Sequence, residues 1–221
     1  MANTRIKKAL SVLLSVLMVL SCWVWVAPSE HTHAHAAETV KDKYLFAYFT
    51  GNSSDGQTVH LAVSRDGLHY DALRNNEPVI IPSKGTGAIR DPYIWYNEQD
   101  NYYYLICTDM DADIPSDPNN IGYWWDNSDS FLMWRSKDLV NWYDETFIDV
   151  SKMAHLIGDT RNMSAVWAPQ VLWDGSAYVV YFTLACNATS WFDIVYLKTT
   201  DLLDPNAYYE FDYILGNGTG N

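Results

Sequence analysis

The sequence predicts an all-β chain whose sheets fan around an axis as the blades of a β-propeller. Three observations carry that expectation. Helix signals are scarce after Ala37, while short runs rich in Tyr, Val, Ile and Phe recur with turn residues between them. Two sequence elements each appear three times. One hairpin grammar is also written twice, as "IRDPYIWYNEQDNYYYLICT" from Ile89 to Thr108 and "VWAPQVLWDGSAYVVYFT" from Val166 to Thr183.

The first element in chain order is a targeting segment. Arg5, Lys7 and Lys8 precede an almost wholly apolar run from Ala9 to Ala27, and Ala34-His35-Ala36 offers a small-x-small cleavage site. This is the pattern of a secretory signal peptide over residues 1–36, with residues 37–221 as the exported domain. An uncleaved anchor is the alternative, because the apolar run nearly reaches membrane-spanning length. Val19-Leu20-Ser21-Cys22 loosely resembles a lipoprotein box, but the apolar run continues through Val26. "HTHAH" (31–35) has the composition of a metal cluster, but it abuts the cleavage site.

The whole chain carries 14 basic and 27 acidic residues, a net charge of -13. Cleavage after Ala36 removes three basic residues and one Glu and makes the balance more acidic, at about −15. Such a chain is a poor partner for nucleic acid or an anionic membrane surface. It suits a secreted protein acting on a neutral polymer. Ten Trp and 16 Tyr suit strands, and exposed in a cleft they also offer flat surfaces for sugar rings. Cys107 and Cys186 are not a disulfide framework; two buried thiols and a single bridge both stand as readings.

The repeated elements define the blades. "YLFAYFT" (44–50), "YYYLICT" (102–108) and "YVVYFTL" (178–184) are one strand seen three times. "VHLAVSRDGLHY" (59–70), "SFLMWRSKDLVNW" (130–142) and "DIVYLKTTDLLDP" (193–205) are the next strand with a polar turn. Asp66, Asp138 and Asp201 recur at intervals of 72 and 63 residues, which fits a four-stranded meander with long loops. One meander cannot bury both its faces, and radial stacking solves this. A β-sandwich is the competing architecture, but it gives no reason for one hairpin to recur with the same turn residues. By this reading residues 44–70 hold the later strands of one blade, 89–142 a complete blade and 166–205 most of another. The result is an arc of roughly two and a half blades.

In this order and spacing, "YLFAYFTGN", "AVSRDGLHY", "RDPYIWY", "MWRSKDLVNW" and "VWAPQVLWD" resemble glycoside hydrolase family 43 over about residues 44–221, most of all its arabinosidase- and xylosidase-like members. The resemblance implies a five-bladed β-propeller, present here as an incomplete arc. It also implies an inverting hydrolase of O-glycosidic bonds in arabinose-, xylose- or galactose-containing plant cell-wall polysaccharides. Invertase-like clan relatives share the "RDP" motif, but the "NDPNG"-like sequence expected of them is absent from residues 38–88.

The same resemblance assigns the site. Members use an Asp at a "DP" opening an inner strand as general base, a second Asp to tune the acid, and a Glu as general acid. Asp91 matches the base, and Ala168 stands at its place in the next copy. The alternative is that Asp91 caps a turn before Pro92. The second Asp and the Glu are expected after position 221, so the 221 residues alone are expected to be inactive. Arg90, pointing to the opposite strand face, reads as a structural partner. Family members often carry an acidic residue after "WAP", where this chain has Gln170. An amide cannot donate as a general acid at neutral pH, but it can hydrogen-bond a sugar hydroxyl. Trp167 is expected either to line the channel as a platform or to pack between blades. A rival register makes Asp91 the tuning Asp of a non-catalytic carbohydrate-binding propeller.

"DMDADIPSDPNN" (109–120) begins like a calcium loop but lacks the Gly at its sixth position and the Glu at its twelfth. It reads as a rim loop with Asp109 near the channel mouth as a substrate contact. Trp124 and Trp125 follow it; Trp125 is expected either at a carbohydrate subsite or between blades. Nothing in the pattern calls for a cofactor, and a structural calcium in the channel is left open.

Overall fold

The computed structural model describes residues 44–113, 129–158, 163–186 and 192–216, with Ser164 described in its backbone only. The expected signal peptide, Trp124 and Trp125 lie outside the described residues. Three antiparallel meanders follow one another along the chain. The first sheet holds β1 (Tyr44–Tyr48), β2 (His60–Ser64) and β3 (Asp71–Ala72). The second holds β4 (Ile89–Asn97), β5 (Tyr102–Asp109), β6 (Ser130–Ser136) and β7 (Trp142–Asp149). The third holds β8 (Met163–Trp173), β9 (Tyr178–Cys186), β10 (Asp193–Thr199) and β11 (Tyr208–Leu215). The arc is therefore two four-stranded blades and one of three strands, part of a five-bladed propeller. By motif β1 corresponds to β5 and β9, so the first sheet has no counterpart of β4 and β8 among the described residues. The blade expected over 166–205 is completed by β11.

The packing rules out a two-layer sandwich. On β6, Phe131 and Met133 join Ile106 of β5 and Val180, Phe182 and Leu197 of the third sheet in one core. Leu132 and Trp134 point the other way and join Leu105, Val59 and Leu61 in a second core against the first sheet. Alternate side chains of a strand leave opposite faces. A middle sheet buried on both faces therefore reads as a continuous apolar run, and "SFLMW" is buried throughout. β10 is covered on one face, and its residues alternate strictly between buried and half-buried. The backbones approach one another at β1, β4 and β8. The one-turn helix α1 (Ala154–Ile157) lies beside β11, with Ala154, Leu156 and Ile157 packed against the core between the second and third sheets.

The shared Asp of the repeated turns has a common task. Ser64 Oγ accepts the N–H groups of Asp66 and Gly67, and Asp66 Oδ1 accepts those of Leu68 and His69. Ser136 and Asp138 repeat the pattern with Leu139, Val140 and Asn141. Thr199 and Asp201 give a shorter version. The His69 amide and ring and the Leu68 amide hold the Asp66 carboxyl well below the usual carboxylate range. The Asn141 amide and side chain do the same for Asp138.

Of the two cysteine readings, the bridge falls. Cys107 and Cys186 are both buried, and neither forms a disulfide. Strand alternation sends Cys107 to the core against the first sheet and Cys186 to the core against the third. Burial pushes the Cys107 thiol well above its ordinary range.

Candidate active site

The duplicated hairpin encodes a duplicated β-bulge. On β4 the register runs Arg90 opposite Thr108 and then Tyr93 opposite Ile106, so Asp91 and Pro92 together face Cys107. On β8 it runs Trp167 opposite Thr183 and then Gln170 opposite Tyr181, so Ala168 and Pro169 together face Phe182. An extra residue bends a strand and re-aims its side chain. Asp91 and Ala168 share the same left-handed φ of 49°. That region admits Asp more readily than most residues. Proline fits next because a bulge needs no ladder N–H from it.

Asp91 is half-buried. Its Oδ2 accepts a hydrogen bond of 2.9 Å from Thr108 Oγ1, across the strand pair. It does not cap a local turn: among the described residues no other donor reaches its carboxylate. Thr108 Oγ1 in turn accepts the Ala168 N–H at 2.8 Å. The two bulges thus meet at one hydroxyl, with β4 and β8 in contact.

Arg90 turns away from this point. Its guanidinium donates to Asn52 Oδ1 at 2.8 Å and lies 4.4 Å over the Phe49 ring. It ties β4 to the loop after β1, as expected of a structural partner. Burial pulls it below its ordinary value, and the Asp91 charge opposes that shift.

Trp167 is half-buried, with its ring 5.1 Å from that of Phe192 at an interplanar angle of 30°. Phe192 is 43% exposed, so the pair presents an aromatic step beside Ala168. Phe192 was not singled out from the sequence; the signal that could have found it is that Trp191-Phe192 precedes β10 as Trp124-Trp125 precedes β6. Gln170 accepts 2.6 Å from Tyr181 Oη through its Oε1, which leaves its NH₂ as the group for a further partner. Tyr93, at the matching place on β4, has its phenol raised by burial and by Tyr181.

Asp109 requires a correction. It is 1% exposed and is not a rim contact for substrate. Its Oδ1 accepts the Thr86 N–H at 2.8 Å and the Thr86 hydroxyl at 2.7 Å, and its Oδ2 accepts Ser130 Oγ at 2.7 Å. As the last residue of β5 it clasps the loop before β4 to the start of β6. The loop that follows is held by Gln57, which donates to Asp111 and accepts the Ala112 N–H. Among the described residues no group of three or more His, Cys, Asp or Glu side chains could hold a metal. No helix among them is long and apolar enough to cross a membrane.

Known proteins share this framework. Residues 40–211 match the family described as a probable glycosyl hydrolase domain, related to glycoside hydrolase family 43. The alpha-L-arabinofuranosidase of Bifidobacterium longum subsp. longum is 27% identical, over 66% of this chain and 14% of its own length. Fructofuranosidase from Schwanniomyces occidentalis, solved with fructose, superposes with a TM-score of 0.52 at 16% identity, over 78% of this chain and 30% of that one. A thermostable family-43 glycoside hydrolase gives 0.48 at 17% identity, over 82% and 52%. The chain thus spans 14% of the curated relative and 30% to 52% of these two solved structures. With the family matched over most of its length, the chain belongs to the probable glycosyl hydrolase domains related to family 43.

Proposed function

We propose that this protein is an inverting glycoside hydrolase of arabinose-, xylose- or galactose-containing plant cell-wall polysaccharides, with Asp91 as its general base. The observation that carries this reading is the pair of matching bulges, of which one bears a carboxylate and the other a methyl group. Asp91 has one oxygen held by Thr108, and Oδ1 is left to take a proton from water. The water oxygen then bonds to the anomeric carbon as the glycosidic C–O bond breaks. The leaving oxygen receives its proton from a carboxylic acid, which we assign to a Glu on another blade. Inversion needs the two carboxyl groups roughly 6.5–9.5 Å apart, a span that strands on different blades can set. Trp167 and Phe192 offer a stacking surface for a sugar ring, and the Gln170 NH₂ a donor for a hydroxyl.

The test is hydrolysis by the full-length protein of arabinan, arabinoxylan and aryl arabinofuranosides, with the product anomer followed by proton NMR. Initial release of the inverted anomer is expected. Release of the retained anomer overturns the mechanism. Binding of these glycans with no hydrolysis of any would identify a non-catalytic carbohydrate-binding propeller. We also place the protein outside the cell, on the strength of residues 1–36. A mature protein beginning at Ala37 supports that placement, and one retaining Met1 in the cytoplasm opposes it.

A further inference from the structure

We infer that Thr108 is the positioning residue of this site: it takes the Ala168 N–H as a donor and thereby aims its own proton at Asp91. The inference rests on reading Asp91 as the general base. The direction of each bond is forced. A backbone N–H only donates, so the Ala168 amide, 2.8 Å away, gives its hydrogen to Thr108 Oγ1. The hydroxyl has one proton of its own, and the carboxylate oxygen 2.9 Å away receives it. Thr108 is 0% exposed, so bulk water does not reach its hydroxyl. Its β-branched side chain also restricts χ1.

This gives the second bulge a purpose. β8 keeps the left-handed turn at Ala168, with its backbone strain, although no carboxylate stands there. What β8 contributes is an amide, delivered to the hydroxyl of the neighbouring blade. Orientation of the Asp91 carboxylate then depends on how the second and third blades dock, and Oδ1 is the oxygen presented to water. Side chains that position a reacting group govern rate more than affinity.

The test compares Thr108→Val, which keeps the shape and loses the hydroxyl, with Thr108→Ser, which restores it, and with Asp91→Asn, all in the full-length protein. Thr108→Val is expected to lower kcat by about ten- to a hundred-fold, with KM held within about two-fold. Thr108→Ser is expected to recover most of the loss. Hydrogen exchange at the Ala168 amide should speed up in the Val variant alone. Wild-type turnover by Thr108→Val alongside an inert Asp91→Asn would overturn the positioning role and leave the base in place. An active Asp91→Asn would overturn both. A loss that Ser does not restore, accompanied by a lowered melting temperature, would make Thr108 a packing residue only. Unchanged exchange at Ala168 in the Val variant removes the bridge whatever the activity.

Discussion

Gly85→Ala offers a sharp test of how the fold seats its buried carboxylate. Gly85 has φ of +66°, where an L side chain costs about 1–2 kcal/mol. A Cβ there would lie 2.2 Å from Asp109 Oδ2 and 2.5 Å from Oδ1, closer than atoms approach. The carboxylate must therefore leave its place. It is 1% exposed and accepts three hydrogen bonds, from the amide and hydroxyl of Thr86 and from the Ser130 hydroxyl. A hydrogen bond to a charged group contributes about 1.5–3 kcal/mol. Losing one of the three together with the backbone strain predicts a destabilisation of about 2.5–5 kcal/mol. Urea denaturation of the full-length protein measures it. Asp109→Asn keeps an acceptor for Thr86 and should cost less. A Gly85→Ala loss below about 1 kcal/mol, under the cost of one such bond, would refute the clasp assigned to Asp109.

Other expectations follow from the same geometry. Phe131→Ala removes a fully buried ring from the core between the second and third blades and should cost about 3–5 kcal/mol by denaturant melts. Ala168→Gly relieves a left-handed φ at an exposed position, offset in part by glycine's entropy, and should raise stability by about 0.5–1 kcal/mol. Asp66 and Asp138 have carboxyls depressed in the fold below their ordinary value of 3.8, so their contribution is present above that pH and is lost as pH falls below it. The melting temperature should therefore drop on acidification below about pH 4, and less steeply in Asp138→Asn. At the alkaline end, hydrogen bonding to Glu210 is the leading cause of Tyr196 being pushed up to about 12 from 10.0. Its contribution is present below pH 10 and is lost as pH rises toward 12.

Repetition made most of the fold legible. A hairpin written twice disclosed a repeated strand pair, whose bulges only the register revealed, and the recurring Asp66, Asp138 and Asp201 disclosed matching turns. The uninterrupted apolar run of β6 and the alternation of β10 record whether a sheet has neighbours on two faces or one. Other features were hidden for physical reasons. β11 breaks the two-residue period because its pairing with β10 shifts register twice, so "YYEFDYIL" shows no clean alternation. Asp109 stood in an acidic run that resembles a solvated loop, and its partners Thr86 and Ser130 lie 23 and 21 residues away. Thr108 read as the last residue of a strand. Its role needs a donor 60 positions further along, which only blade docking supplies.

Asp91→Asn in the full-length protein tests the proposed hydrolysis most directly, with turnover of an arabinoxylan or arabinan fragment and affinity for the same fragment measured side by side. Loss of the proposed base should lower kcat by about 10²–10⁴-fold while the fragment still binds. Turnover near that of the wild type would contradict the account, since the carboxylate on the first bulge would then be dispensable for the chemistry.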